Sequence, residues 1–297
     1  MKRSLCKICL LVLFISCKKD PVSSGSQSDS FSTALDRGVI ENIQISEASG
    51  IVTSGLSSNV FWTHNDSGDT NRIFAIDSLG KGTRSVTVEG GVNRDWEAIA
   101  MTTFPEGTFL YIGDIGDNDN TYGDYCIYRI AEPADGVAST DRAQKIIFQY
   151  PDGPRDAECL LIDHQSKDIY ILSKRENKKR LYRLAFPQVY DRLLTAEFIA
   201  EMPFSPGTDV GSYITDGNVS LDNSQIIIKS YLHIYHWRLK GNETIAQALV
   251  RPASILPYSL EAQGEALTFT KNASAYLTLS EESDKKLPVH LYAYQRK

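Results

Sequence analysis

Five acidic residues each stand at the head of an apolar run: Glu47, Glu97, Glu158, Asp216 and Glu265. A small residue follows each one (Ala48, Ala98, Cys159, Gly217 and Ala266), and the unit recurs about every 50–60 residues. If the copies are equivalent, the five acids form one ring. Carboxylates gathered in that number cannot all stay ionised and unpaired. They must hold a cation or another ligand, recruit arginine or lysine, order water, or keep protons. Arg94 and Arg155, each three residues before an acid, are the natural internal partners. The competing role is structural, with each acid capping its own strand.

Two loops add further oxygen donors. His64-Asn65-Asp66-Ser67-Gly68-Asp69-Thr70-Asn71 and Gly113-Asp114-Ile115-Gly116-Asp117-Asn118-Asp119-Asn120 place Asp66, Asp69, Asp114, Asp117, Asn118 and Asp119 at strand ends. Such density suits a hard cation such as Ca²⁺. Neither loop has the spacing of a helix–loop–helix calcium site, and the same residues are ordinary turn formers. Candidates for catalysis are few. His64 is placed to act as a general base, and Lys174, Lys229 or Arg94 to stabilise an anion. The basic turn that includes Lys174, Arg175, Lys178, Lys179 and Arg180 either attracts an anion or is a solvated hairpin. No histidine pair has zinc-ligand spacing. Nucleophile-elbow and phosphate-loop motifs are absent. Trp62, Trp96 and Trp237 offer either stacking faces for sugars or packing between blades.

Strands must position these residues. After each acid comes an apolar strand, such as Ile99-Ala100-Met101. A second strand follows (Leu110-Tyr111-Ile112), then a third with an aromatic at its second place (Ile127-Tyr128-Arg129-Ile130). Fourth strands are fainter and include residues 246–250; residues 193–202 are the one competitor for a helix. Three or four short strands per unit predict an all-β fold, a β-propeller of about five four-stranded blades, six being the alternative. Residues 36–43 would supply the missing outer strand of the last blade and close the ring, which removes exposed edges.

The 297 residues carry a net charge of −6, against general nucleic-acid binding. Met1-Lys2-Arg3, an apolar run too short to span a bilayer, and Phe14-Ile15-Ser16-Cys17 resemble a bacterial lipoprotein signal. Cys17 would then carry lipid, with an ordinary secretion signal as the alternative. Lys18-Lys19-Asp20 resembles the export tags of Bacteroidetes surface lipoproteins. The expected organisation is a signal over 1–17, a Ser/Gly-rich flexible tether over 18–35 and the propeller over 36–297. That implies a monomer in the outer membrane, facing the periplasm or the exterior, with membrane contact through the anchor only. Cys126 and Cys159 would remain as a disulfide or, within their strands, as two small buried residues.

Over residues 40–297 the repeat grammar resembles bacterial β-propeller proteins akin to β-propeller phytases and phytase-like esterases. The long acidic signatures of phytases are not matched. The expected function is binding of a small molecule, glycan or protein at an acidic channel mouth, with Ca²⁺ as the candidate cofactor. A metal-dependent hydrolase of phosphoesters or related esters is the alternative.

Overall fold

The computed structural model describes residues 29–282, 286 and 288–297. Cys17, the signal segment and the tether up to residue 28 lie outside the described residues. Five antiparallel sheets form a propeller. Blade 1 holds β2 (Ala48–Thr53), β3 (Phe61–Asn65), β4 (Arg72–Ile76) and β5 (Arg84–Thr87). Blade 2 holds β6 (Trp96–Phe104), β7 (Gly107–Asp114), β8 (Tyr125–Ala131) and β9 (Gln144–Gln149). Blade 3 holds β10 (Ala157–Ile162), β11 (Ile169–Ser173), β12 (Arg180–Leu184) and β14 (Glu197–Glu201). Between its last two strands, β13 (Leu193–Thr195) pairs parallel with β9, giving blade 2 a fifth strand. Blade 4 holds β15 (Ile214–Val219), β16 (Gln225–Ser230), β17 (Ile234–Arg238) and β18 (Ser254–Leu256). Blade 5 holds β19 (Gly264–Phe269), β20 (Ala275–Ser280) and β21 (His290–Gln295), and is completed by β1 (Leu35–Val39).

The ring is thus closed by the N-terminal strand, as expected, and the inner strands β2, β6, β10, β15 and β19 contact one another around the axis. Five apolar cores follow from this plan, each between two adjacent blades. The small residue after the acid serves blade contact: a Cβ on Gly217 would lie 2.5 Å from Cys159 Sγ and 2.9 Å from Leu161. Trp62, Trp96 and Trp237 are all buried in these cores, so none offers a face to a sugar. Cys126 and Cys159 are free thiols.

One local expectation changes. Residues 246–250 are not the outer strand of blade 4. Ile245–Leu249 is a helical turn, α1, because Thr244 and Gln247 form a reciprocal capping box and Ile245, Ala248 and Leu249 bury on one face. The outer strand is β18 instead. Residues 193–202, where a helix was the competitor of a fourth strand, carry strands, β13 and β14.

The chain also joins the body inside the stretch read as a tether. Phe31 is buried, bridges to Arg296 and packs edge-on against Tyr276 at 4.9 Å. Phe31→Ala should therefore cost about 3–5 kcal/mol, read as a clear fall in Tm. Leu35→Ala, at a position 43% exposed, should stay within about 0.5 kcal/mol.

Candidate functional site

Strand register corrects the ring of acids. Across β6 and β7, Trp96 faces Asp114 and Ala98 faces Gly113, so Glu97 is the bulged residue between them. Glu158 and Glu265 hold the same place, between Ala157 and Cys159 and between Gly264 and Ala266. In blade 1, Ala48 pairs with Asn65, and in blade 4, Ile214 pairs with Ser230. Counting from those pairs, the equivalent residues are Ser49 and Thr215.

Glu47 and Asp216 therefore leave the ring. Glu47 is exposed at the rim, two residues before Ser49. Asp216 is a buried clamp, accepting from Leu267 N at 2.6 Å and Gly217 N at 2.7 Å, which ties blade 4 to blade 5. Burial holds its carboxyl well above the usual carboxylate range.

A second position lies one residue beyond the paired end of each second strand. Asp66, Ile115, Lys174, Tyr231 and Glu281 occupy it in blades 1 to 5. These residues and the inner-strand heads share one end of the ring, the mouth. The Asp66, Asp95 and Glu97 carboxylates converge there, with one oxygen from each within 4.8 Å of the others. Ser49 Oγ donates to Glu97 Oε2 at 2.6 Å. Glu265 accepts from the Tyr231 hydroxyl, and Gln263 Nε2 donates to Glu281 Oε2 at 2.5 Å.

Burial first, and the neighbouring carboxylates after it, push the Asp66, Glu97 and Glu281 carboxyls above their ordinary range. Asp95 is raised chiefly by burial, with Asp156 adding to it. Lys174 opposes the shifts at Asp95 and Glu97.

The expected arginine partners point elsewhere. Arg94 donates to the Asp124 carbonyl at 2.8 Å and stacks 4.0 Å over the Tyr122 ring. Arg155 binds Asp152 and Glu176. Glu158 is paired with Lys174 instead, and Asp156 with Arg175. Lys229 is fully buried; its ammonium is held by the carbonyls of Gly264 and Ser230, and burial pushes its pKa down to about 8.

The two acidic loops separate into support and site. Asp69 is bonded to Arg72 and Asn65. Asp114 Oδ1 accepts Asp95 N at 2.7 Å and Arg94 N at 3.2 Å, fixing the backbone that carries the acids. Asp117 accepts from Thr121 N, Tyr122 N and the Tyr125 hydroxyl. Asn118 takes Arg175, and Asp119 is exposed. Of the six residues expected to bind metal, only Asp66 belongs to the converging group.

Asp95 and Ser49 are the residues that the five-acid alignment misses. Aligning the copies on the ends of their second strands, rather than on their carboxylates, finds Ser49; Asp95 stands one residue before the paired head, where blade 1 has Glu47 and blade 3 has Asp156. The second loop still matters through Gly116, where a Cβ would stand 2.4 Å from Asp95 Oδ2 and 2.7 Å from Glu97 Cγ.

The molecule is a five-bladed propeller with an acidic mouth. No protein-family model matches the chain, and no curated sequence matches it. Among solved structures it is similar to a luciferin-regenerating enzyme (10% identity, 84% of this chain and 91% of that one, TM-score 0.46). It is also similar to the RRP9 WD40 repeats (9% identity, 89% and 98%, TM-score 0.47). The Kuenenia stuttgartiensis hydrazine synthase is a third (11% identity, 82% and 70%, TM-score 0.42). Likenesses this distant carry no inference about activity.

His64 is sealed between blades 1 and 2, edge-on to Trp96 at 5.9 Å, with Nδ1 3.0 Å from the Asn65 carbonyl. Burial pushes its pKa down to about 4 from 6.5. The folded state therefore resists protonating it. That cost is absent above about pH 6.5, grows as pH falls and is complete below about pH 4. Relative to His64→Gln, the wild type should lose about 3 kcal/mol of unfolding free energy between pH 7 and pH 4. Asp114, raised by burial to about 6, runs the other way, so the difference between the two proteins is the quantity to measure, by denaturant titration.

Proposed function

We propose that this protein is a ligand-binding propeller of the bacterial cell envelope whose mouth takes a positively charged ligand. An imbalance of charge carries the reading. Burial, and after it the charges of neighbouring carboxylates, raises the proton affinity of Asp66, Glu97 and Glu281 at the mouth: Asp95 and Glu265 act on Asp66, Asp66, Glu265 and Asp95 on Glu97, and Glu265 and Asp66 on Glu281. The nearby cations are already engaged: Lys174 on Glu158, Arg175 on Asp156 and Lys229 on backbone carbonyls. Crowded, part-buried carboxylates are costly unless an opposite charge joins them. A metal ion, or an amine or guanidinium borne by a small molecule, glycan or protein, relieves that cost.

The hydrolase alternative suggested by the likeness to phytases and esterases is less favoured. His64 is sealed in a core, Arg94 is stacked on Tyr122, and Lys174 and Lys229 are held by their own partners. The lipoprotein-like segment ending at Cys17 supports an envelope address, with the ring anchored by lipid at that cysteine. Incorporation of labelled palmitate that disappears in Cys17→Ala is the expected result; equal labelling of both proteins would refute the anchor.

For the mouth, calorimetric titration of the purified protein with Ca²⁺ and separately with 1,4-diaminobutane should show binding of at least one cation. Charge removal in Glu265→Gln/Glu281→Gln should weaken it by roughly tenfold or more, and added salt should weaken the diamine further. Should neither cation bind the wild type at millimolar concentration, the reading fails.

A further inference from the structure

We propose that the face opposite the mouth carries a membrane-contact patch, centred on Phe104 and Phe186, that seats the propeller on the bilayer surface. This rests on the reading of Cys17 as a lipid-bearing cysteine and goes beyond it. The anchor tethers the chain, whereas the patch orients the folded body.

Strand direction sets the face. β6 and β12 both run away from the mouth, so the β6–β7 turn and the segment after Leu184 lie at the far end. There Phe186 is 46% exposed and Val189 43%, and Pro105 and Pro187 are exposed as well. The half-buried Phe104 ring stands 5.8 Å from Phe186 and 5.8 Å from Phe109, which makes one aromatic surface across blades 2 and 3. Blade 1 extends it. In the β2–β3 turn Leu56 is 59% exposed, and a Cβ on the adjoining Gly55 would lie 2.6 Å from Thr108 of blade 2. Single exposed apolar side chains are ordinary, whereas a contiguous group marks an interaction surface.

Charge suits a lipid surface. Lys167 Nζ stands 5.0 Å over the Phe104 ring and donates to the Thr103 carbonyl at 2.7 Å and the Thr102 hydroxyl at 3.1 Å. Lys271 Nζ donates to the Gly55 carbonyl at 2.6 Å. Both ammonium groups are held by neutral oxygens and keep their charge for lipid phosphates. Two acids at this end are offset, Glu106 by Arg129 and Asp168 by Arg183. Apolar rings that enter the acyl boundary beneath lysines at headgroup level are the pattern of interfacial binding.

The point of entry of the chain selects the same occupant. Phe31 bridges to Arg296, and Asp29 pairs with Arg238, the last residue of β17, at this same end. Asp29 is twelve residues beyond Cys17, a reach of at most about 40 Å at full extension. A lipid on Cys17 therefore favours this face over the mouth. At the effective concentration that a short tether sets, a contact too weak to form between free partners is occupied.

The test places the lipidated protein in vesicles of phosphatidylethanolamine and phosphatidylglycerol with brominated acyl chains, a quencher confined to the bilayer. Trp62, Trp96 and Trp237 are buried in the cores and supply a constant background. Phe104→Trp and Phe186→Trp should each lose emission in brominated vesicles relative to unbrominated ones. Val210→Trp, exposed in the segment that leads into β15 at the mouth, should not. Adding Phe186→Glu to the Phe104→Trp protein should restore its emission, with no more change in Tm than a surface substitution brings. Vesicle-bound protein in which Phe104→Trp and Phe186→Trp are no more quenched than Val210→Trp overturns the patch and leaves the anchor standing. Protein that neither takes up palmitate at Cys17 nor sediments with the vesicles overturns anchor and patch together. Unquenched protein that dimerises in analytical ultracentrifugation would put a second copy on these rings, which also overturns the bilayer contact.

Discussion

Everything at the mouth depends on how closely five inner strands approach around one axis. Adjacent blades meet at small residues, as where Gly217 admits Cys159, and the side chains at the strand heads are pressed into a common space. With five blades, groups that are distant in sequence become neighbours: Asp66 of blade 1 meets Asp95 and Glu97 of blade 2, and feels Glu265 of blade 5. The same approach that excludes water from the cores raises the electrostatic cost of each unpaired carboxylate. Stability and binding capacity are therefore two results of one packing constraint.

The structure manages that cost unequally around the ring. Blade 3 neutralises its acids internally, with Lys174 on Glu158 and Arg175 on Asp156. At the corresponding head position, blades 1 and 4 carry hydroxyls, Ser49 and Thr215. Blades 2 and 5 keep their carboxylates without a basic partner of their own at that position. The negative charge is thus concentrated on one side of the mouth, where blades 5, 1 and 2 meet.

Much of the fold was legible because its signals are local. Recurring apolar strands, an aromatic in each third strand and a small residue at each inner strand set the number of blades and the closing strand. Glu97, Glu158 and Glu265 were legible for the same reason. Glu47 and Asp216 were not, because a β-bulge shifts register by one residue without a mark in composition, and an acid one or two places away looks equivalent. Asp95 was hidden by Glu97 two residues on, since the repeat picks out one acid per copy whereas both carboxylates turn to the mouth. At residues 246–250, alanines and leucine suit either strand or helix, and the capping pair Thr244 and Gln247 was the signal that decided the matter.

The closing strand has a consequence for how the ring is presented. In blade 5, β20 ends at the mouth beside Glu281, and β21 runs back from it, so the pairing of Phe31 with Arg296 lies at the opposite end. Polypeptide enters and leaves the folded body there. Both ends of the described body therefore lie on the face opposite the carboxylates.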